Sequence, residues 1–207
     1  MVNTLQIGSV LDSLYRDAQQ DHLKMMQSRV KSIFRPMQPA DFDQAYLAIL
    51  REQGEFLTQL IVQKELRNLV EFGTSFGIST LFLAEGVLET SGRIVTTELI
   101  ASKAEKAREN FKKAGVDHLI EIKVGDARDT LKGHKEPVDL LLLDGWKNLY
   151  LALFLLLEPN FHPKTLIYVD NADMIETRNF LHTILKDRTY QCENLHAGKA
   201  ALITLRN

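Results

Sequence analysis

From Asn68 onward, short β-rich runs alternate with helical stretches, and this alternation constrains the fold more than any other feature of the chain. Two runs, 138–143 (VDLLLL) and 165–169 (TLIYV), are almost unbroken apolar segments. Strands of that kind have both faces buried, as happens when helices cover both sides of a parallel sheet. Further runs lie at 69–72, 93–97 and 120–124, and two more close the chain near 190–194 and 200–205. Helices are expected between them at 79–88, 101–114, 150–157 and 173–186, the second stopped by Gly115 as a C-cap. The pattern predicts an α/β fold with a doubly wound, mostly parallel sheet and right-handed crossovers.

The first third reads differently. Residues 9–33 form a polar helical pattern with a thin apolar stripe of Leu11, Leu14, Tyr15, Leu23, Met26 and Val30. Pro36 and Pro39 break it. A second helix is expected over 41–63, with Phe42, Tyr46, Ile49, Leu50, Phe56, Leu57, Leu60 and Ile61 on one side. Gly54 inside that helix weakens it unless close packing requires it. Residues 1–63 are expected to be a helical cap region and 64–207 the core, in a single domain overall; 207 residues suffice for one α/β domain with a sizeable core.

Composition excludes several classes. Lys and Arg total 25 against 27 Asp and Glu, without the basic excess of a dedicated nucleic-acid binder. The basic helix around Lys103, Lys106, Arg108, Lys112 and Lys113 is interleaved with Glu105 and Glu109, as a solvated face would be. The single Cys192 excludes an intramolecular disulfide and a multi-cysteine zinc site, and suits a reducing cytoplasm. The most apolar stretch, 138–157, contains Asp139, Asp144, Lys147 and Asn148, so no membrane span is expected there. The opening lacks a basic start followed by an apolar block, so no secretory signal is expected. The six histidines are scattered without metal-ligand spacing, and surface or satisfied positions are expected for them.

In a doubly wound sheet, ligands bind beyond the carboxyl ends of the strands. Here every one of the first five strand ends is acidic: Glu71, Glu98, Asp126, Asp144 and Asp170. Glu71 leads into the turn Gly73-Thr-Ser-Phe-Gly77, whose glycines suit either a tight turn or backbone approach to a ligand. Ser75 stands where a dinucleotide fingerprint would carry glycine, and the turn has no phosphate-binding lysine. Glu98 follows Gly73 by 25 residues, the spacing of a carboxylate that accepts from two ribose hydroxyls. Asp126 and the small Ala127 could flank an adenine or simply form a turn. Asp144, Asp170 and Asn171 place hard oxygen donors after two buried strands. If those strands are neighbours, the donors converge and suit Mg²⁺, Ca²⁺ or Mn²⁺; otherwise the acids cap the following helices. Lys147, three residues after Asp144, can face the same point, or be an ordinary solvated lysine.

These residues carry a resemblance. From Gly54 to the C-terminus the chain resembles class I S-adenosylmethionine-dependent O-methyltransferases, specifically the cation-dependent group of catechol and caffeoyl-coenzyme A O-methyltransferases. The matching stretches are GEFL at Gly54, EFGTSFGIST at Glu71, Glu98, GDA at Gly125, LLLDGWKNLY at Leu141 and VDNA at Val169. The resemblance implies a Rossmann-like seven-stranded sheet of order 3-2-1-4-5-7-6 with N-terminal helices. It implies that Glu71, Gly73, Thr74 and Ser79 surround the methionine part of the cofactor and Glu98 binds its ribose. Asp126 and Ala127 would flank the adenine, Asp144 would also border the cofactor, and Asp144, Asp170 and Asn171 would hold the divalent cation. Lys147 would be the general base, and Trp146 would wall the substrate pocket. The implied activity is methyl transfer to a small, hydroxylated, catechol-like acceptor. The helix at 150–157, apolar on most sides, is expected to be buried or to form a subunit interface, and with the resemblance it points to a homodimer; composition predicts a cytoplasmic chain with no nucleic-acid or membrane partner. The rival readings are a catalytically silent cofactor-binding or interaction module and a nicotinamide-dependent oxidoreductase.

Overall fold

The computed structural model describes residues 4–19, 48–186 and 188–206. In chain order the elements are α1 (Thr4–Ala18), α2 (Arg51–Lys64), β1 (Asn68–Phe72), α3 (Ile78–Thr90), β2 (Arg93–Glu98), α4 (Ala101–Ala114), β3 (Ile120–Val124) and α5 (Ala127–Thr130). They continue as β4 (Val138–Leu143), α6 (Tyr150–Leu157), β5 (Phe161–Asp170), α7 (Ile175–Ile184), β6 (Tyr190–Leu195) and β7 (Ala200–Leu205). The strands form one sheet of order β3-β2-β1-β4-β5-β7-β6, the expected order. β1 to β5 pair in parallel, and β7 is antiparallel to both β5 and β6.

Two apolar clusters cover the faces of this sheet. One packs Ile7, Leu11 and Leu14 of α1, Leu57 and Ile61 of α2 and the buried side of α3 against Leu69, Leu140 and Tyr168. The other packs Leu153, Phe154 and Leu157 of α6 and Phe180 of α7 against Val70, Leu141 and Ile167. The central strands read as apolar because both faces are covered: Leu140 to Leu143 are all 0% exposed. Burial also accounts for most of the apolar character of α6, where Tyr150, Leu153, Phe154 and Leu157 face the core and Leu155 alone among its large side chains stays exposed.

α1 carries Leu11 and Leu14 into the core as the apolar stripe requires; Leu23, Met26 and Val30 lie outside the described residues. The second helix begins later than its apolar periodicity suggests. Leu50 is extended (φ −65°, ψ 145°) and α2 starts at Arg51; residues 41–47 of the expected helix lie outside the described residues. The start is set by Gln53, whose Oε1 accepts the Leu50 N–H at 2.9 Å, the reach-back half of a capping box. Gly54 lies where α2 crosses α3, and a Cβ there would come within 2.2 Å of the Phe82 ring, so close packing does require glycine.

Candidate active site

The sheet register aligns the acidic strand ends in one row. Glu98 pairs with Val124, Phe72 with Thr97 and with Leu143, and Leu143 with Val169. Gly73 therefore lies beside Glu98 on one side and Asp144 on the other, with Asp170 one strand further. Neighbouring strands are ~4.8 Å apart, so Asp144 and Asp170 leave the sheet side by side. The backbone is tight here. Gly73 has φ +107°, and a Cβ on it would come within 2.8 Å of the Asp144 carbonyl. Only glycine lets the β1 turn pass β4 at this distance.

The turn itself is braced by two of the predicted acids. Glu71 is fully buried and accepts from the hydroxyls of Ser79, Thr80 and Thr96, each at 2.6 Å. Burial pushes its carboxyl up, against the lowering effect of those three hydroxyls. Glu98 accepts the Ser75 N–H at 2.8 Å and the Ile100 N–H at 2.9 Å, and so ties the turn to the end of β2. Ser75 is held at φ 49°, a left-handed conformation that glycine would adopt freely and that costs another residue about 1–2 kcal/mol. Thr74 is buried, its hydroxyl 2.6 Å from that of Thr96.

Asp126 lies at the same rim as the cap of α5. It accepts the Arg128 N–H at 2.9 Å and grips the Arg128 guanidinium, with Nη2 at 2.5 Å. Those bonds lower its pKa to about 2. Its side chain is thus engaged locally, and Ala127 beneath it is buried.

The densest chemistry lies at the ends of β4 and β5. Asp144 is 11% exposed and Asp170 is 5% exposed, and they follow the paired ends of two adjacent strands. Burial first, then repulsion from Asp170, pushes the Asp144 carboxyl well above the usual range; Lys147, with Nζ 3.8 Å from Oδ1, pulls it back. Asn171 follows at φ 53°, and its main-chain carbonyl accepts the Met174 N–H at 3.0 Å. Trp146 is half-buried and packs against the second apolar cluster. The Lys147 ammonium also lies 5.8 Å from the centre of the Tyr150 ring.

Three residues of this site were not legible as site residues. Gln53 donates from Nε2 to Asp170 Oδ1 at 2.7 Å and lies 3.2 Å from the Tyr168 hydroxyl. Tyr150 is fully buried, its hydroxyl has no hydrogen-bond partner among the described residues, and burial first, then the charges of Asp144 and Asp170, raise its pKa. The signal available for Gln53 was a lone glutamine on the helix face that Leu57, Leu60 and Ile61 otherwise make apolar.

A sequence profile of the family described as O-methyltransferase matches residues 4–183, most of the chain. The chain belongs to the O-methyltransferase family. The chain is 40% identical over 102 residues to the catechol O-methyltransferase of Mycobacterium tuberculosis, a match covering 49% of this chain and 46% of that protein. It is 32% identical over 130 residues to the catechol O-methyltransferase of Niastella koreensis, covering 61% and 58%. The matches thus span about half the length of these curated relatives. Among solved structures it resembles cofactor-bound Rv0187 from MTB, with 27% identity and a TM-score of 0.72 over 88% of this chain and 96% of that one. The fold also matches the O-methyltransferase from Bacillus cereus in complex with SAH, with a TM-score of 0.75, 24% identity, and 96% and 91% coverage. No helix among the described residues is long and apolar enough to cross a membrane.

Proposed function

We propose that the chain transfers a methyl group from S-adenosylmethionine to one hydroxyl of a small, catechol-like acceptor, with a divalent cation held by Asp144, Asp170 and Asn171. The observation that carries this reading is the pair of buried, mutually repelling carboxylates at the ends of β4 and β5, with Lys147 beside them. Two buried like charges are costly without a counter-charge greater than one lysine. The donors are all oxygen, which suits Mg²⁺ or Mn²⁺ rather than zinc. The Tyr150 hydroxyl, without a hydrogen-bond partner among the described residues, gives the same neighbourhood a further oxygen. The names of the two catechol O-methyltransferase relatives support the acceptor class.

A bound cation would chelate vicinal hydroxyls and lower the pKa of one of them. The sulfonium donor supplies an activated methyl group, so alignment is the main task left to the protein. The chain's residues divide that task. Gly73 and Thr74 shape the floor of the turn, with Glu71 and Ser79 fixing it from beneath. Glu98 presents a carboxylate, already oriented by two backbone N–H groups, to the ribose hydroxyls. In its neutral amine form Lys147 would receive the hydroxyl proton as the oxygen–methyl bond forms and the sulfur–methyl bond breaks. Trp146 offers an aromatic wall to the acceptor ring.

The test is mass-spectrometric detection of methylated product from a panel of catechols and matched monophenols, with Mg²⁺ and with excess chelator. Product from catechols alone, lost in chelator, is expected. Asp144→Asn is expected to abolish cation-dependent turnover while leaving donor affinity within about three-fold, whereas Glu98→Ala is expected to weaken donor binding by about ten-fold or more, the worth of a charged hydrogen bond. Equal turnover of monophenols in chelator would refute the cation role; no methyl transfer to any hydroxyl would refute the activity.

A further inference from the structure

We propose that Gln53 is a positioning residue for the cation site, fixing the Asp170 carboxylate through a direct hydrogen bond and anchoring it to the start of α2; this rests on the cation reading given above. Gln53 is 3% exposed, and both ends of its amide are used. Oε1 accepts the Leu50 N–H at 2.9 Å, and Nε2 faces Asp170 Oδ1 at 2.7 Å and the Tyr168 hydroxyl at 3.2 Å. The orientation of the amide is determined by these partners. A flipped amide would set NH₂ against the Leu50 N–H and an oxygen against the Asp170 carboxylate.

The consequence is chemical. With Oδ1 held by Gln53, Asp170 has one fixed orientation, and its second oxygen is left for the neighbouring Asp144 or for a cation. The amide orients without altering the charge of the site. A glutamate at this position would add a third carboxylate against Asp170, and a lysine would supply the positive charge that a cation is needed to provide. Capping α2 demands only the oxygen end of the side chain; the nitrogen end has no part in it. Residues that orient metal-ligating side chains typically change metal affinity by about 10- to 100-fold when replaced.

The test measures Mn²⁺ binding to the full chain by electron paramagnetic resonance of free Mn²⁺, without donor or acceptor. Gln53→Met keeps the volume and removes all three hydrogen bonds; Gln53→Asn keeps an amide but withdraws it by one methylene. Each is expected to weaken Mn²⁺ binding by about 10- to 100-fold while donor affinity, which also reports folding, stays within two-fold. Leu50→Pro, compatible with φ −65° at that residue, deletes the capped N–H and leaves the Asp170 contact; its Mn²⁺ affinity is expected to match the unaltered protein. Asp170→Asn is expected to lose binding. If Asp170→Asn loses Mn²⁺ and a folded Gln53 variant binds it normally, the positioning role is overturned and the cation site stands. If Leu50→Pro weakens Mn²⁺ binding as much as the Gln53 variants, Gln53 acts only through the helix cap and the positioning role is overturned. If Asp170→Asn also binds Mn²⁺ normally, the cation reading fails and this inference fails with it.

Discussion

Glu71 accepts hydrogen bonds from Ser79, Thr80 and Thr96, so substitution should separate its charge from its shape. Glu71→Ala leaves three buried hydroxyls without their acceptor and opens a cavity under the β1 turn. A loss on the order of 3 kcal/mol or more is expected in urea unfolding. Glu71→Gln keeps the volume and two polar ends while removing a buried charge, and the hydroxyls can rotate to accept from its NH₂. A clearly smaller loss is expected. Equal losses would mean that the charge itself, rather than the hydrogen-bonded bracket, holds the turn. The strand-end position of Glu71 was legible in the sequence, but its partners were less so. Ser79 and Thr80 follow within nine residues, whereas Thr96 lies on the next strand. Asp126 shows the same limit from the other side: position placed it at the rim, but only the structure shows its carboxylate gripping Arg128.

At the scale of elements, Asp139 clasps the amino-terminal ends of three strands. From β4 it accepts the backbone N–H groups of Arg67 and Asn68 at the start of β1, both at 2.8 Å, and it meets His162 Nε2 of β5 at 2.8 Å. Burial raises its pKa, but the Asn68 and Arg67 N–H groups and His162 outweigh this and hold the carboxyl below its ordinary value. A depressed folded pKa contributes stability above the unfolded value of roughly 3.9, lost as pH falls through the folded value. Asp139→Asn is therefore expected to cost about 1–3 kcal/mol at pH 7, with the gap to the unaltered protein narrowing below about pH 4. A gap independent of pH would remove the charge from the explanation. Elements whose ends rest on local chemistry were legible: α4 spans the expected 101–114 because Gly115 adopts φ 73°, a conformation that ends a helix cheaply. α2 was not, because its start depends on a side chain turning back on the backbone, which apolar periodicity does not register. Gln53 and Asp170 are 117 residues apart, and no local pattern announces their contact.

For the whole molecule, the question is whether residues 1–63 and 64–207 behave as separate units. Both described N-terminal helices bury their apolar sides in the same cluster as Leu69, Leu140 and Tyr168 of the sheet, and Leu57 and Ile61 are 0% exposed. A cap region that shares its core with the sheet cannot unfold without exposing that sheet face, so one cooperative transition follows. The chain supplies its own reporter, since its single tryptophan, Trp146, packs against the apolar cluster on the opposite face of the sheet from α1. Leu11 is 2% exposed on α1, and Leu11→Ala is expected to cost about 2–5 kcal/mol. If the chain is one unit, the Trp146 fluorescence and far-ultraviolet circular dichroism midpoints should move together and by the same amount. S-adenosylmethionine at a hundred times its Kd should then move both back by about 2.7 kcal/mol, because a ligand of the folded state stabilises everything that unfolds with it. A Leu11→Ala protein whose circular dichroism midpoint falls while the Trp146 midpoint stays in place would mean that α1 melts alone and that the boundary at residue 63 is a thermodynamic one.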